Sequence, residues 1–280
     1  VKNKAIVKNI DSAMALAGSH IHISNLHYKI VCYRVLYLKN LGEKMKDKIY
    51  LYDDQIGSVE YVQHMGDDLT IVNAARVSFG KHKEDLDEKD KRLIRYLIRH
   101  RHTSTLEHNI VTFRFCVPLF VRSQHHRHRT WSYNEISRRY TDENLKFYEP
   151  KQFRTQHKSN RQASNEDNKI DPIIKIDNPE SSVPSSVHAS KVISMFHKDA
   201  VKYYDELLSA GICREQARGI LPQNLYTEYY GTCNLNNLIK FISLRTHDGA
   251  QQEIRVVAEA CKKIALDLWP VAMSNFNLQS

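Results

Sequence analysis

The sequence predicts an α/β (α+β) protein, and two observations carry that reading. Val111, Phe113, Phe115 and Val117 alternate with Thr112, Arg114 and Cys116, the period-two pattern of a half-buried strand. Around it lie three long stretches, 85–100, 187–210 and 250–269, whose apolar residues recur at helical spacing. Strands and helices are interleaved along the chain.

Taken in order, residues 1–57 read as an N-terminal extension of unknown role. Within it, His20 to Ile23 and Tyr28 to Leu38 are rich in strand formers, and Lys39 to Lys48 reads as a charged linker or short helix. A catalytic domain over 58–275 begins where the pattern sharpens. Val59 to Val62 reads as a strand, Met65 to Asp68 as a turn, and Leu69 to Phe79 as a short buried helix or strand. Asp85 to His100 is expected to be a helix, acidic in its first half and basic in its last, as the macrodipole favours. Leu93, Tyr96 and Leu97 form its expected apolar stripe.

After the strand at 111–117, Pro118 stands where a first helical turn tolerates it, and Leu119 to Gln124 leads into an arginine-rich segment. Between about 152 and 186 the composition falls to Asn, Ser, Lys, Asp, Gln and Pro, which predicts a disordered, protease-sensitive surface insertion. Val187 to Ala210 then reads as a helix with Val192, Met195, Phe196, Val201 and Leu207 turned to the core and Gly211 as its stop. Ile212 to Leu221 is expected to be helical and Asn224 to Thr232 a strand. Leu235 to Arg245 and Ala250 to Trp269 close the chain as two helices before Pro270.

The totals set limits on function. At 280 residues with 41% hydrophobic and 26% charged content, the chain has ordinary globular composition and room for a sizeable core. A formal net charge of +9 favours phosphorylated or polyanionic ligands. The five cysteines, at 32, 116, 213, 233 and 261, form no Cys-x-x-Cys pair, which argues against a disulfide framework or structural zinc and for a reducing compartment. No apolar run approaches the roughly 18 residues of a spanning helix. Val1 to Ser19 lacks both the apolar segment of a secretory signal and the arginines of a transit peptide, so a cytoplasmic protein is expected.

Chemistry concentrates in Arg127 to Tyr140. Four arginines, one glutamate, one asparagine and two serines fall within that stretch, with no apolar face running through it. Guanidinium groups suit two-pronged recognition of phosphate, carboxylate or the edge of a heterocycle. The stretch therefore reads as a pocket for an anionic, ring-bearing ligand, with a basic nucleic-acid-binding loop as the alternative. Three further clusters accompany it. His100 to His108 holds several histidines and Glu107, but no His-Glu-x-x-His spacing that would point to a metal. Arg218, near Glu215, is open to reading as a surface ion pair. Arg245, before Gly249, is open to reading as a cation that merely complements a helix end. No Gly-x-Gly-x-x-Gly, Walker or Gly-x-Ser-x-Gly motif is present, and no cysteine has an evident activating neighbour.

Arg127-His128-Arg129, followed after seven residues by Ser137, resembles the signature of the flavin-dependent thymidylate synthases, and the longer form of that motif is matched throughout 127–140. The resemblance extends, in order, to Ala74–Phe79, His102–His108, Ala217-Arg218 with Leu221-Pro222 and Asn224–Thr227, and Leu244-Arg245 with Ala250-Gln251 and Glu253-Ile254. It covers about 58–270, apart from the insertion. It implies a homotetramer with a mixed central sheet flanked by helices and active sites shared between subunits. The implied reaction is methylation of dUMP to dTMP, with methylenetetrahydrofolate as carbon donor and NADPH as reductant through bound FAD.

By the same resemblance, FAD is contacted by Ser104, Arg127, His128, Arg129, Glu135, Asn234, Leu235, Asn236 and Lys240, with Ser78, His102 and Glu107 beside it. The nucleotide is held by Gln124, His125, His126, Arg127, Glu135, Ile136, Ser137, Arg138, Arg139, Arg218 and Arg245, and Arg245 is the catalytic residue. No metal is implied. The chain departs from the family's habit at Ser123, where an arginine is usual, at Gly249 in place of histidine, and at Asn236 and Lys240. A basic RNA-binding protein and a catalytically silent member of the same fold are the competing expectations. A colourless protein that takes up no FAD would sink the flavoenzyme.

Overall fold

A computed structural model describes residues 48–141, 145–161, 163–176 and 185–276. The chain divides into Val1–Lys44 and Met45–Ser280, and every described residue lies in the second unit. The expected strands at 20–23 and 28–38 fall outside the described residues.

The architecture centres on a five-stranded sheet of order β1-β2-β3-β9-β4. Its members are β1 (Ile49–Tyr50), β2 (Ser58–Met65), β3 (Ile110–Pro118), β4 (Ser132–Glu135) and β9 (Tyr226–Asn234). Every pairing in it is antiparallel, so the expected mixed sheet is corrected. The reason lies in the connections. The segment from β2 to β3 leaves and re-enters at one end of the sheet, where Met65 faces Ile110, so no crossover forms.

The register explains the alternation in β3. Val111, Phe113, Phe115 and Val117 pair with Cys233, Gly231, Tyr229 and Thr227, and all eight residues turn to one buried face. On the opposite face Thr112 hydrogen-bonds Thr232 at 2.9 Å, and Arg114 forms an exposed ion pair with Glu228. One sheet face builds the core, while the other is mixed, with Thr112 buried and the Arg114 and Glu228 side chains exposed.

Helices cover the buried face. Helix α1 (Asp68–Arg76) starts in a capping box between Asp67 and Thr70, and α2 (Glu88–Arg99) in one between Asp87 and Asp90. In α2 the buried stripe is Ile94, Leu97 and Ile98, while Tyr96 is exposed, which corrects the expected stripe by one helical position. The buried Asp90 carboxylate explains the displacement: it accepts from both Arg76 and Lys83 and turns its side of the helix inward. Pro118 caps α3 (Leu119–His125).

The stretch expected to be disordered carries strands. Strand β5 (Phe153–Gln156) pairs with β6 (Ser164–Ile170), and β7 (Ile173–Ile176) with β8 (Ser185–His188). Composition was a poor guide because backbone pairing and ion pairs, rather than an apolar core, organise these ribbons. Helix α4 (Ala189–Ser209) buries His197, Ala200 and Tyr204, whereas Met195 and Phe196, expected in the core, are exposed.

Helix α5 (Arg214–Ala217) is a single turn, continued as a 3-10 turn over Arg218–Ile220. Helices α6 (Leu235–Arg245) and α7 (Gln252–Leu268) supply the largest share of the core, and α8 (Pro270–Phe276) follows. The folded unit also begins before residue 58. Tyr50 pairs with Ser58, Tyr52 Oη donates to the Glu253 carbonyl, and Tyr226 Oη donates to Asp54 at 2.5 Å. These contacts are polar and aperiodic, so no hydrophobic pattern announced them.

Candidate active site

The arginine-rich segment starts from an aromatic nest. The His125 ring is fully buried, with its centroid 4.6 Å from Trp131, 4.6 Å from Phe241 and 4.8 Å from Phe115. Its Nδ1 lies 2.8 Å from Tyr229 Oη. Burial, first, and the neighbouring His128, His126 and Arg245 push its pKa well down, so the ring is neutral. An enclosed ring offers no side-chain surface to a ligand, so only the backbone of His125 remains for the expected nucleotide contact. His126 stacks on Tyr133 at 4.1 Å, and Tyr133 Oη donates to the carbonyls of His125 and His128. This packing holds rigid the turn that presents Arg127, His128 and Arg129.

Arg245, the last residue of α6, reaches this turn. Its Nε donates to His128 Nε2 at 3.2 Å and one Nη to the Gln124 carbonyl at 3.3 Å. Burial, first, and Arg245 hold the His128 pKa down at about 4. The ring is therefore neutral, and Nε2 keeps the lone pair that this contact requires. Burial and the nearby Arg127 also lower the pKa of Arg245 itself. Arg245 has neutral partners, a second guanidinium beside it, and no carboxylate among the described residues. A half-buried guanidinium with neutral partners, near the exposed Arg127, is suited to an anion or to developing negative charge.

A second group lies along β4 and beyond. Glu135 Oε1 accepts from Thr227 Oγ1 at 2.7 Å and lies 3.3 Å from Arg122 Nε. Ser137 Oγ accepts from the Arg139 backbone N–H, and Arg138 reaches the Tyr226 carbonyl at 3.5 Å. Ile136 is exposed beside them. Glu215 pairs with Arg139 at 3.4 Å rather than with Arg218, so the surface ion pair read for Arg218 is not formed. No hydrogen bond or ion pair joins Arg139 or Arg218 to Arg245 among the described residues.

A third group follows α6 to its N-terminal end. Asn234 Oδ1 caps the helix by accepting from the Asn237 N–H, and Asn236 Nδ2 donates to Glu107 Oε1 at 2.9 Å. Leu235 is fully buried, so only its backbone remains for a ligand. Ser104, His102, Glu107 and Lys240 are exposed nearby in sequence or on the same helix. With a rise of about 1.5 Å per residue, α6 separates this end from Arg245 by about 15 Å. Ser78 is exposed and donates to the Ala75 carbonyl.

The comparisons with known proteins bear on this geometry. The family model described as thymidylate synthase complementing protein matches residues 60–271. The chain belongs to that family. A flavin-dependent thymidylate synthase of Thermus thermophilus is 42% identical over 220 residues, covering 79% of this chain and 75% of the relative. One from Thermotoga neapolitana is 40% identical over 214 residues, covering 76% and 88%. The crystal structure of the UMP/dUMP methylase PolB of Streptomyces cacaoi, bound with 5-Br dUMP, superposes with a TM-score of 0.66 at 34% identity, covering 82% of this chain and 97% of that one.

The flavin expected from this family finds a fitting donor set. Arg127 and Arg129 are exposed and form no ion pair with a described residue, and Lys240 adds a third cation along α6. Free guanidinium groups at one end of a helix and amides at the other suit an elongated, doubly phosphorylated group. Three of the cysteines, Cys116, Cys233 and Cys261, offer no rival chemistry. Burial raises Cys116 to about 11 and raises Cys233 and Cys261 as well, so none of these three thiols is a ready nucleophile. Arg122, Thr227 and Gln251 are contact residues that the sequence did not single out for roles. Their partners lie about 13, 92 and 127 positions away in the chain, beyond any local spacing signal.

Proposed function

We propose that this chain methylates dUMP to dTMP, with methylenetetrahydrofolate as carbon donor and NADPH as reductant. FAD is the cofactor of its family and, when bound, supplies hydride transfer between the reductant and the one-carbon unit. The observation that carries the reading is Arg245, a half-buried guanidinium that has neutral acceptors only and stands beside Arg127.

Uracil C5 becomes a competent nucleophile only when negative charge can build on N3 and the ring carbonyls. A guanidinium already fixed at that edge stabilises the charge without reorganising. His128 keeps Arg245 oriented by accepting its Nε–H, and the Gln124 carbonyl accepts at an Nη. In this assignment Arg139 and Arg218, with Ser137, hold the 5′-phosphate, while Arg127 and Glu135 stand between nucleotide and flavin. Gln124, His126, Ile136 and Arg138 line the nucleotide side. Arg129, Asn236, Glu107, Ser104, His102, Ser78 and Lys240 serve the flavin. In this reading a homotetramer with shared sites brings Arg139 and Arg218 to the same nucleotide as Arg245, with which they share no hydrogen bond or ion pair among the described residues. The cysteine usage supports a reducing, cytoplasmic setting.

The test is the visible absorption spectrum of the purified protein during titration with dUMP, followed by NADPH and methylenetetrahydrofolate. A yellow protein with a dUMP-dependent spectral change and dTMP as product is the expected result. Protein that takes up no FAD, or that binds RNA with steep salt dependence and has no affinity for dUMP, would overturn the proposal.

A further inference from the structure

The β5–β6 ribbon lies in the stretch outside the sequence resemblance, yet its side chains reach the loop that follows Arg245. The Arg154 guanidinium on β5 is fully engaged. Its Nε donates to Ser164 Oγ at 2.9 Å, Nη1 to Gln252 Oε1 at 2.7 Å, and Nη2 to the Glu253 carboxylate oxygens at 2.8 and 2.9 Å. The side chains of Arg154 and Glu253 are 19% and 8% exposed, so the pair is largely shielded. Glu253 Oε2 also accepts from Gln251 Nε2 at 2.8 Å. Gln251 Oε1 then accepts from Gln124 Nε2 at 2.5 Å, and the Gln124 carbonyl accepts from Arg245. A second brace runs parallel. Arg255 donates to the carbonyls of Asp248 and Ala250 at 3.0 and 3.1 Å and pairs with Glu166 on β6 at 2.9 Å.

We infer that Arg154 is a positioning residue for Arg245, and that the β5–β6 ribbon is a clamp on the loop 246–251 that aims the Arg245 guanidinium at the nucleotide. The inference rests on the role proposed for Arg245. The carboxylate of Glu253 can only accept hydrogen bonds, so Gln251 must turn its amino group toward it and its oxygen toward Gln124. Gln124 must in turn donate, and its backbone is held where its carbonyl receives Arg245. Charge at one end of the chain thus sets the direction of every amide in it. Without Arg154, Glu253 is left a shielded carboxylate with no cation beside it, held only by the Tyr148 hydroxyl and Gln251, and the relay loses the charge pair that anchors it.

The test uses FAD-loaded, full-length protein in four forms: wild type, Arg154→Met, Arg245→Ala and the double variant. FAD content, melting temperature and the dUMP dissociation constant, read from the flavin spectrum, are measured for each. Arg154→Met is expected to keep its FAD and to weaken dUMP binding about tenfold, the scale of one charge-assisted hydrogen bond. In the Arg245→Ala background the same change is expected to add nothing, because its effect passes through Arg245. Multiplying losses in the double variant would mark a purely structural ribbon and overturn the inference. Should Arg154→Met fail to fold, Glu166→Gln, whose carboxylate is 40% exposed, releases only the second brace and is expected to weaken dUMP binding with FAD content unchanged. Unaltered dUMP affinity in the folded variants overturns the clamp alone. Wild-type protein that holds FAD but does not bind dUMP overturns the proposed function and the clamp together.

Discussion

At the residue scale, the proposed function turns on two side chains in contact, Arg245 and His128. Replacing Arg245 with Ala is expected to lower kcat about 10²–10³-fold while leaving FAD content unchanged, the scale for loss of one donor that meets developing charge. Steady-state kinetics alongside flavin absorbance check this, and retained activity would remove the assignment. His128 carries a pH signature. It is neutral in the fold down to about pH 4, whereas in the unfolded chain it protonates near its ordinary value of about 6.5. Between these values the unfolded state binds more protons, so stability is present above pH 6.5 and lost as pH falls toward 4. His125, buried and likewise depressed, adds to the same trend. His128→Gln is expected to flatten the slope of melting temperature against pH in that window, and an unchanged slope would contradict the shift.

At the scale of elements, β9 decides how the site is built. Its central Gly231 faces the aromatic nest, where an added Cβ would stand 2.8 Å from Phe115 Cε2 and 3.3 Å from the Trp131 ring. The glycine is therefore required by close approach of rings rather than by its backbone angles. Gly231→Ala is expected to destabilise the protein by about 1–3 kcal/mol through overpacking. Chemical denaturation gives the value directly, and a neutral result would show that the nest can yield. The strand pairs β5–β6 and β7–β8 alter the expected proteolysis. Arg154 sits in a paired strand with its guanidinium engaged, so trypsin is expected to cut there slowly, and rapid cleavage at that bond would contradict the pairing. Helix α6 was legible end to end as Leu235–Arg245, because a polar cap, an apolar stripe and a basic last turn coincide in it.

At the scale of the whole molecule, the net charge of +9 and the cations around Arg127 and Arg245 create a field that draws in phosphorylated ligands. The dUMP association rate is expected to fall as salt rises from low to physiological strength, with the dissociation rate changing much less. Stopped-flow flavin fluorescence would show this, and a salt-independent association rate would argue against steering. The sequence by itself determined the strand at 111–117, most helices and the family, since local periodicity and short motifs encode them. It also singled out Arg245 and the 127–140 stretch as candidates. Only the tertiary structure decided which residues meet. It put the His125 ring in the core, gave Glu215 to Arg139, and made every strand pairing among the described residues antiparallel. It also linked Arg154 to Arg245 through Glu253, Gln251 and Gln124. The physical reason is one of range. Periodicity reports which face of an element is apolar, whereas hydrogen bonds and ion pairs between residues a hundred positions apart leave no spacing for a sequence to show.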